Sequence, residues 1–115
     1  MLAEHDHPWP IRGPFFVWSN TSAIRFAVAA VPLYRCKGNF PGTASHFVST
    51  HTNCEGIGTM EKLLGFMSAR RDSAAPRVLR RCGQSTSDSE TLFYTVVDGP
   101  CLRVGDIVQE LGYVV

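Results

Sequence analysis

The stretch that most constrains this chain covers residues 36–66, because its landmarks occur twice. Cys36, Phe47, Cys54, Gly58, Leu64, Gly65 and Phe66 return as Cys82, Phe93, Cys101, Gly105, Leu111, Gly112 and Tyr113. Cys36 to Phe47 and Cys82 to Phe93 are both eleven steps. From Cys54 onward the offset is 47 rather than 46, which places one inserted residue between Phe93 and Cys101. Leu33 and Arg35 extend the match upstream to Leu79 and Arg81. Such self-similarity reads as a duplicated supersecondary unit. Unit one spans 32–69 and unit two 77–115. Residues 1–14 form an irregular lead-in, and 15–31 a covering segment or a worn third copy. Residues 15–115 are expected to form a single domain.

All four cysteines fall inside this stretch at matched places, so each unit is expected to carry its own staple: Cys36 with Cys54, and Cys82 with Cys101. Each bridge would close a loop of just under twenty residues, worth about 3 kcal/mol in the chain-entropy picture. Buried free thiols and zinc are the rival uses. Zinc is disfavoured because the chain has no C-x-x-C pair and no second ligand at finger spacing. Disulfides imply an oxidising compartment, hence an extracellular or periplasmic location, although no signal peptide is present in this chain. The lead-in is rich in His and acidic residues where a signal needs basic ones. The reading frame is therefore expected to begin inside a longer gene.

Composition fits a globular chain, with 44% apolar and 18% charged residues. A net charge of +1 gives no general attraction to nucleic acid or an anionic membrane. The apolar run at 23–33 is too short to span a bilayer, so no membrane insertion is expected. Arg70, Arg71, Arg77, Arg80 and Arg81 crowd one stretch, read as a solvated connector between units, with an anion or polyanion contact as the alternative.

Within each unit the pattern predicts strand, strand, short helix, strand. The fold class is thus α+β and β-rich: two tandem β-β-short helix-β units in one small disulfide-stapled domain. Strands are predicted over Phe15–Trp18, 24–31, 31–36, 46–50, 66–68 and 113–115. Thr59 and Asp106 sit where helix N-caps belong, with Gln109 completing a capping box. Met60, Leu63 and Leu64 form one helical stripe, as do Ile107, Val108 and Leu111. Gly65 and Gly112 occupy C-cap positions. Period-two alternation turns Phe47 and Phe93 inward and His46, Val48 and Tyr94 outward.

No catalytic constellation is kept by both copies. His46 and His51 with Ser49 suggest a nucleophile and base, but His46 maps onto Leu92 and unit two has no histidine. Gly56-x-Gly58 lacks the third glycine of a phosphate loop, and no cofactor motif is present. His5-Asp6-His7 reads as a flexible tail rather than a metal site, and Asn20-Thr21-Ser22 as turn chemistry that is formally a glycosylation sequon. Residues that differ between copies are the freest to serve a ligand. Tyr34, His46, Arg80 and Tyr94 are the candidate binding residues, with aromatic platforms suited to sugar rings or a protein partner.

Leu33-Tyr34-Arg35, His46-Phe47-Val48-Ser49-Thr50 and Gly65-Phe66 resemble the repeats of an uncharacterised family of secreted bacterial and fungal proteins. Its units read leucine-tyrosine-arginine, histidine-phenylalanine-tyrosine-threonine-threonine, then glycine-tyrosine. The match covers 31–115 and is closest in unit one, whereas Arg80 and Leu92 depart from it in unit two. Cys54-Glu55-Gly56 does not fall where that family's glutamate-glycine pair lies. The resemblance implies an accessory, non-catalytic role beside hydrolase domains, with carbohydrate or a cell-surface component as the ligand. The alternative is a structural or adhesive fragment of a larger cell-surface or secreted protein, without a small ligand.

Overall fold

The computed structural model describes residues 2–5, 11–12, 15–19, 30–38, 46–85 and 91–115. The strands are β1 (Leu2–His5), β2 (Ile11–Arg12), β3 (Phe15–Trp18), β4 (Ala30–Gly38), β5 (His46–Ser49), β6 (Gly58–Ser68), β7 (Arg77–Ser85), β8 (Thr91–Val97) and β9 (Ile107–Val114). All belong to one sheet. The helical content of the described residues is a single 3₁₀ turn at Cys54–Gly56. Among these residues no helix is long and apolar enough to cross a membrane.

The two expected helices are strands, so the α+β assignment is corrected to a β-rich fold. In each unit the first strand lies centrally, paired antiparallel with the other two: β4 with β5 and β6, and β7 with β8 and β9. A β-bulge accounts for the helical disguise. The β4–β6 register steps from Leu33↔Gly65 to Tyr34↔Leu63, which leaves Leu64 as the extra residue. The β7–β9 register steps in the same way from Leu79↔Gly112 to Arg80↔Glu110, leaving Leu111 extra. A bulge re-aims side chains and breaks period two. Leu64 and Leu111 turn into the core, while Met60, Leu63, Ile107 and Val108 stay exposed. Apolar residues on two faces of a bulged strand thus imitate one face of a helix.

The supposed caps have other work. Thr59 pairs with Lys37 in the β4–β6 ladder, Asp106 accepts from the Tyr94 hydroxyl, and Gln109 accepts from Arg81. Gly65 is required by close approach: a Cβ there would lie 2.6 Å from both the Trp18 carbonyl oxygen and Val17 Cγ2, and its φ is +155°. At Gly112 a Cβ would meet Met67 side-chain atoms at 3.1–3.2 Å.

The units join where β6 and β9 pair through Ser68↔Tyr113. β3 seats in that joint. Trp18 pairs with Phe66, and Phe16 exchanges two backbone hydrogen bonds with Val115, at 3.0 and 3.1 Å. The core gathers there from both units and β3, with Phe15, Val17, Leu33, Val48, Leu64, Met67, Leu79, Leu111 and Val114 packed together. β3 is a strand, as its aromatic and β-branched sequence predicts. The predicted strand at 24–31 lies mostly outside the described residues, as do Asn20-Thr21-Ser22 and Asp6-His7.

The sheet curls until β5 and β8 touch, with the Phe47 and Phe93 rings 5.1 Å apart. Curling buries both faces of β5. Val48 is therefore core rather than outward-facing, and Phe47 is buried as well. The register also moves the inserted residue. Phe47 lies opposite Cys36, whereas Tyr94, not Phe93, lies opposite Cys82. The insertion is thus upstream of β8 rather than between Phe93 and Cys101.

Candidate functional site

Both staples form as the spacing predicts. Cys36–Cys54 has its Cα atoms 6.0 Å apart and Cys82–Cys101 5.8 Å apart, and no described cysteine is free. Each bridge ties the central strand of a unit to the loop preceding its third strand. The two loops then do different things.

In unit one the loop builds an internal clamp. Cys54 and Glu55 both take left-handed conformations, with φ of 53° and 60°, which cost L-residues about 1–2 kcal/mol each. Asn53 Oδ1 accepts from the Glu55 amide at 3.0 Å and supports the turn. The conformation aims the Glu55 carboxylate at Arg81 of β7, whose side chain is only 5% exposed. Arg81 Nη1 donates to Glu55 Oε2 at 2.6 Å and Nη2 to Oε1 at 2.7 Å. The same guanidinium donates to the Val48 carbonyl at 2.9 Å and to Gln109 Oε1 at 2.6 Å. Its planar group lies 4.5 Å from the Phe93 ring centroid and 5.5 Å from that of Phe47. Ser49 Oγ donates to Glu55 Oε2 at 2.6 Å. The bond from Arg81 holds the Glu55 carboxyl below its ordinary 4.5, against the opposing effect of desolvation and with help from Ser49. Arg81 therefore closes the β5–β8 seam with side-chain bonds where a strand ladder is absent. It is not part of a solvated connector.

In unit two the loop presents apolar side chains. Tyr94 donates to Asp106 and accepts from the Leu102 amide at 2.8 Å. Partial desolvation, and then the bond to Asp106, push its phenol above the ordinary 10.0. Arg80 Nη1 donates to the Gly99 carbonyl at 2.7 Å, and its guanidinium pairs with Glu110 at 3.0 Å. The backbone from Gly99 to Asp106 is thus held at several points, yet Leu102 is 57% and Val104 108% exposed.

The four candidate binding residues do not share one site. Tyr34 packs on the Cys36–Cys54 cluster with Phe47. His46 Nε2 lies 3.1 Å from Glu61, which also pairs with Arg35 at 3.2 Å. Arg80 and Tyr94 both brace the unit-two loop. Sequence reasoning missed Glu55 and Arg81 as a pair, although a signal existed: Glu55 aligns with Leu102, so the two loops had already diverged in charge. Among the described residues no group of three His, Cys, Asp or Glu side chains could hold a metal ion. No known protein family, no curated protein and no solved structure matches this chain.

Proposed function

We propose that the chain is a non-catalytic binding module of an extracellular or periplasmic setting, which engages a macromolecular partner through the unit-two loop. One observation carries this reading. Leu102 and Val104 are held out into solvent by a backbone fastened through Cys101, Tyr94, Asp106 and Arg80. A loop ordered in advance loses little conformational freedom on binding, so its apolar contacts convert efficiently into affinity. The polar cluster Ser49–Glu55–Arg81 supports binding over catalysis, because its members are occupied with one another. Two disulfides in a chain of 115 residues fit an oxidising compartment. The large apolar side chains that the described surface exposes are aliphatic, which favours a polypeptide over the sugar ring expected from the family resemblance. The test is a screen of the folded protein against a glycan array and a displayed library of extracellular protein fragments. The Leu102→Ser/Val104→Ser double variant is run beside the parent. Ligands that bind the parent at least about ten-fold more tightly than the variant are expected among the fragments. If no ligand distinguishes the two proteins, the reading fails.

A further inference from the structure

The two third strands, β6 and β9, invite comparison along their outer edges. β9 pairs with β7 on one side over Ile107–Val114. On its other side the described residues offer it only the Ser68↔Tyr113 bridge and the Phe16–Val115 hydrogen bonds, both at its far end. Among the described residues, 107–111 therefore form an open sheet edge. Among the described residues β6 is open in the same way over residues 58–64, with β3 and β9 meeting it only at Phe66 and Ser68. Open edges are templates for strand addition, and proteins blunt them with charge. β6 is blunted: Glu61 and Lys62 occupy its edge, and a second bulge falls at Glu61. At the matched positions β9 carries Val108 and Gln109 instead. Ile107 is 63% and Val108 54% exposed, and Gln109 is turned inward to Arg81.

Charge narrows the occupant. The acidic groups of this edge are already engaged, Asp106 by Tyr94 and Glu110 by Arg80. Asp98 lies away at the Val78 end of the loop, where its amide donates to the Val78 carbonyl at 2.8 Å. Arg103, exposed between Leu102 and Val104, makes no side-chain ion pair or hydrogen bond with the described residues. Among the described residues the surface is thus an open ladder edge, preceded in the chain by exposed aliphatic side chains and by one cation without a protein partner. A second copy would bring a second Arg103 and the same engaged carboxylates, so it offers nothing to that cation.

We propose that β9 is a strand-addition site: its open edge takes an extended segment of a partner protein, rich in β-branched residues and carrying a carboxylate for Arg103. The proposal rests on the binding-module reading and names its partner class. Main-chain hydrogen bonds to residues 107–111 supply affinity, and Leu102, Val104 and Val108 select aliphatic side chains.

The experiment uses a short synthetic peptide alternating valine and threonine around a central aspartate, followed by fluorescence anisotropy and by amide hydrogen exchange of the whole protein. Binding is expected to slow exchange within residues 107–111. Val108→Glu, which installs the side chain found at the matched position of β6, should weaken binding by at least about ten-fold while leaving the thermal melt unchanged. Arg103→Glu should weaken the aspartate peptide and favour its lysine counterpart. A peptide with proline at every position flanking the aspartate should not bind, since neither of its edges can donate to the ladder. Equal binding of the proline peptide, protection on another strand, or indifference to Val108→Glu overturns the proposal. So does a dimer of the chain alone that Val108→Glu abolishes. Fragments from the library that depend on Leu102 and Val104 but not on Val108 would remove strand addition and leave the binding module standing. Dependence on neither removes both.

Discussion

Glu55→Ala tests the clamp between the two units. The substitution deletes two of the four hydrogen bonds that Arg81 donates and leaves its charge in a site only 5% exposed. Removing one member of a buried ion pair costs about 3–5 kcal/mol. The Glu55 side chain retains 24% exposure, so water can reach the abandoned guanidinium, and the lower end, about 3 kcal/mol, applies. For a domain of this size that is a fall of roughly 12 °C in Tm, at about 4 °C per kcal/mol. The backbone supplies an internal control. At φ of 60° alanine keeps the left-handed strain of about 1–2 kcal/mol, whereas glycine relieves it and gives back about half through its freer unfolded state. Glu55→Gly should therefore be about 0.5–1 kcal/mol less damaging than Glu55→Ala, an inversion of the usual order. Arg81→Met made on top of Glu55→Ala should add little, because the uncompensated charge leaves with it. Urea titrations followed by tryptophan fluorescence measure all three. A Glu55→Ala variant within 1 kcal/mol of the parent, or a glycine variant worse than the alanine one, would refute the clamp.

Acid should act on the same pair. Because the folded Glu55 carboxyl lies below its ordinary 4.5, its contribution is complete above that value and lost as pH falls through the lower folded one; Glu55→Gln should flatten this part of the stability curve. Gly65→Ala should cost more than Gly112→Ala in a melt, since the first places a Cβ 2.6 Å from a backbone oxygen and the second meets only the side chain of Met67. Comparable losses would mean the joint at β3 can yield. The staples should open in order under a graded dithiol: Cys36 and Cys54 are both fully buried, whereas Cys101 is partly exposed, so peptide mapping should find Cys82 and Cys101 alkylated first.

The sequence exposes some levels of this structure and hides others. Disulfide pairing was readable because matched cysteines are a local, repeated pattern. The strands β3, β4 and β5 were readable from β-branched and aromatic content. The third strand of each unit was readable only at its end, beyond Gly65 and Gly112; the rest was not, because Leu64 and Leu111 sit in bulges that break the two-residue period, and a capping-type residue followed by a glycine completes the resemblance to a helix. The clamp was hidden for a different reason. Arg81 and Glu55 lie 26 residues apart on different units, and a backbone turn with two left-handed residues brings them together. Side-chain parity failed at Val48 because alternation assumes one wet face, and curling leaves β5 with none.

The seating of β3 sets an order of events during folding. Each staple closes within 18 or 19 positions, and each three-stranded unit is complete within its own stretch of chain. Phe16, however, bonds Val115 almost a hundred positions away, and closing so long a loop is entropically the last and slowest step. During synthesis the aromatic strand Phe15–Trp18 can pair with β1 at once, but its seat in the joint of β6 and β9 must wait until β9 has been made. A chaperone or an oxidase meeting the nascent chain would encounter two stapled half-structures and a waiting strand. Removing Val114 and Val115 should leave both disulfides correct and the joint unformed.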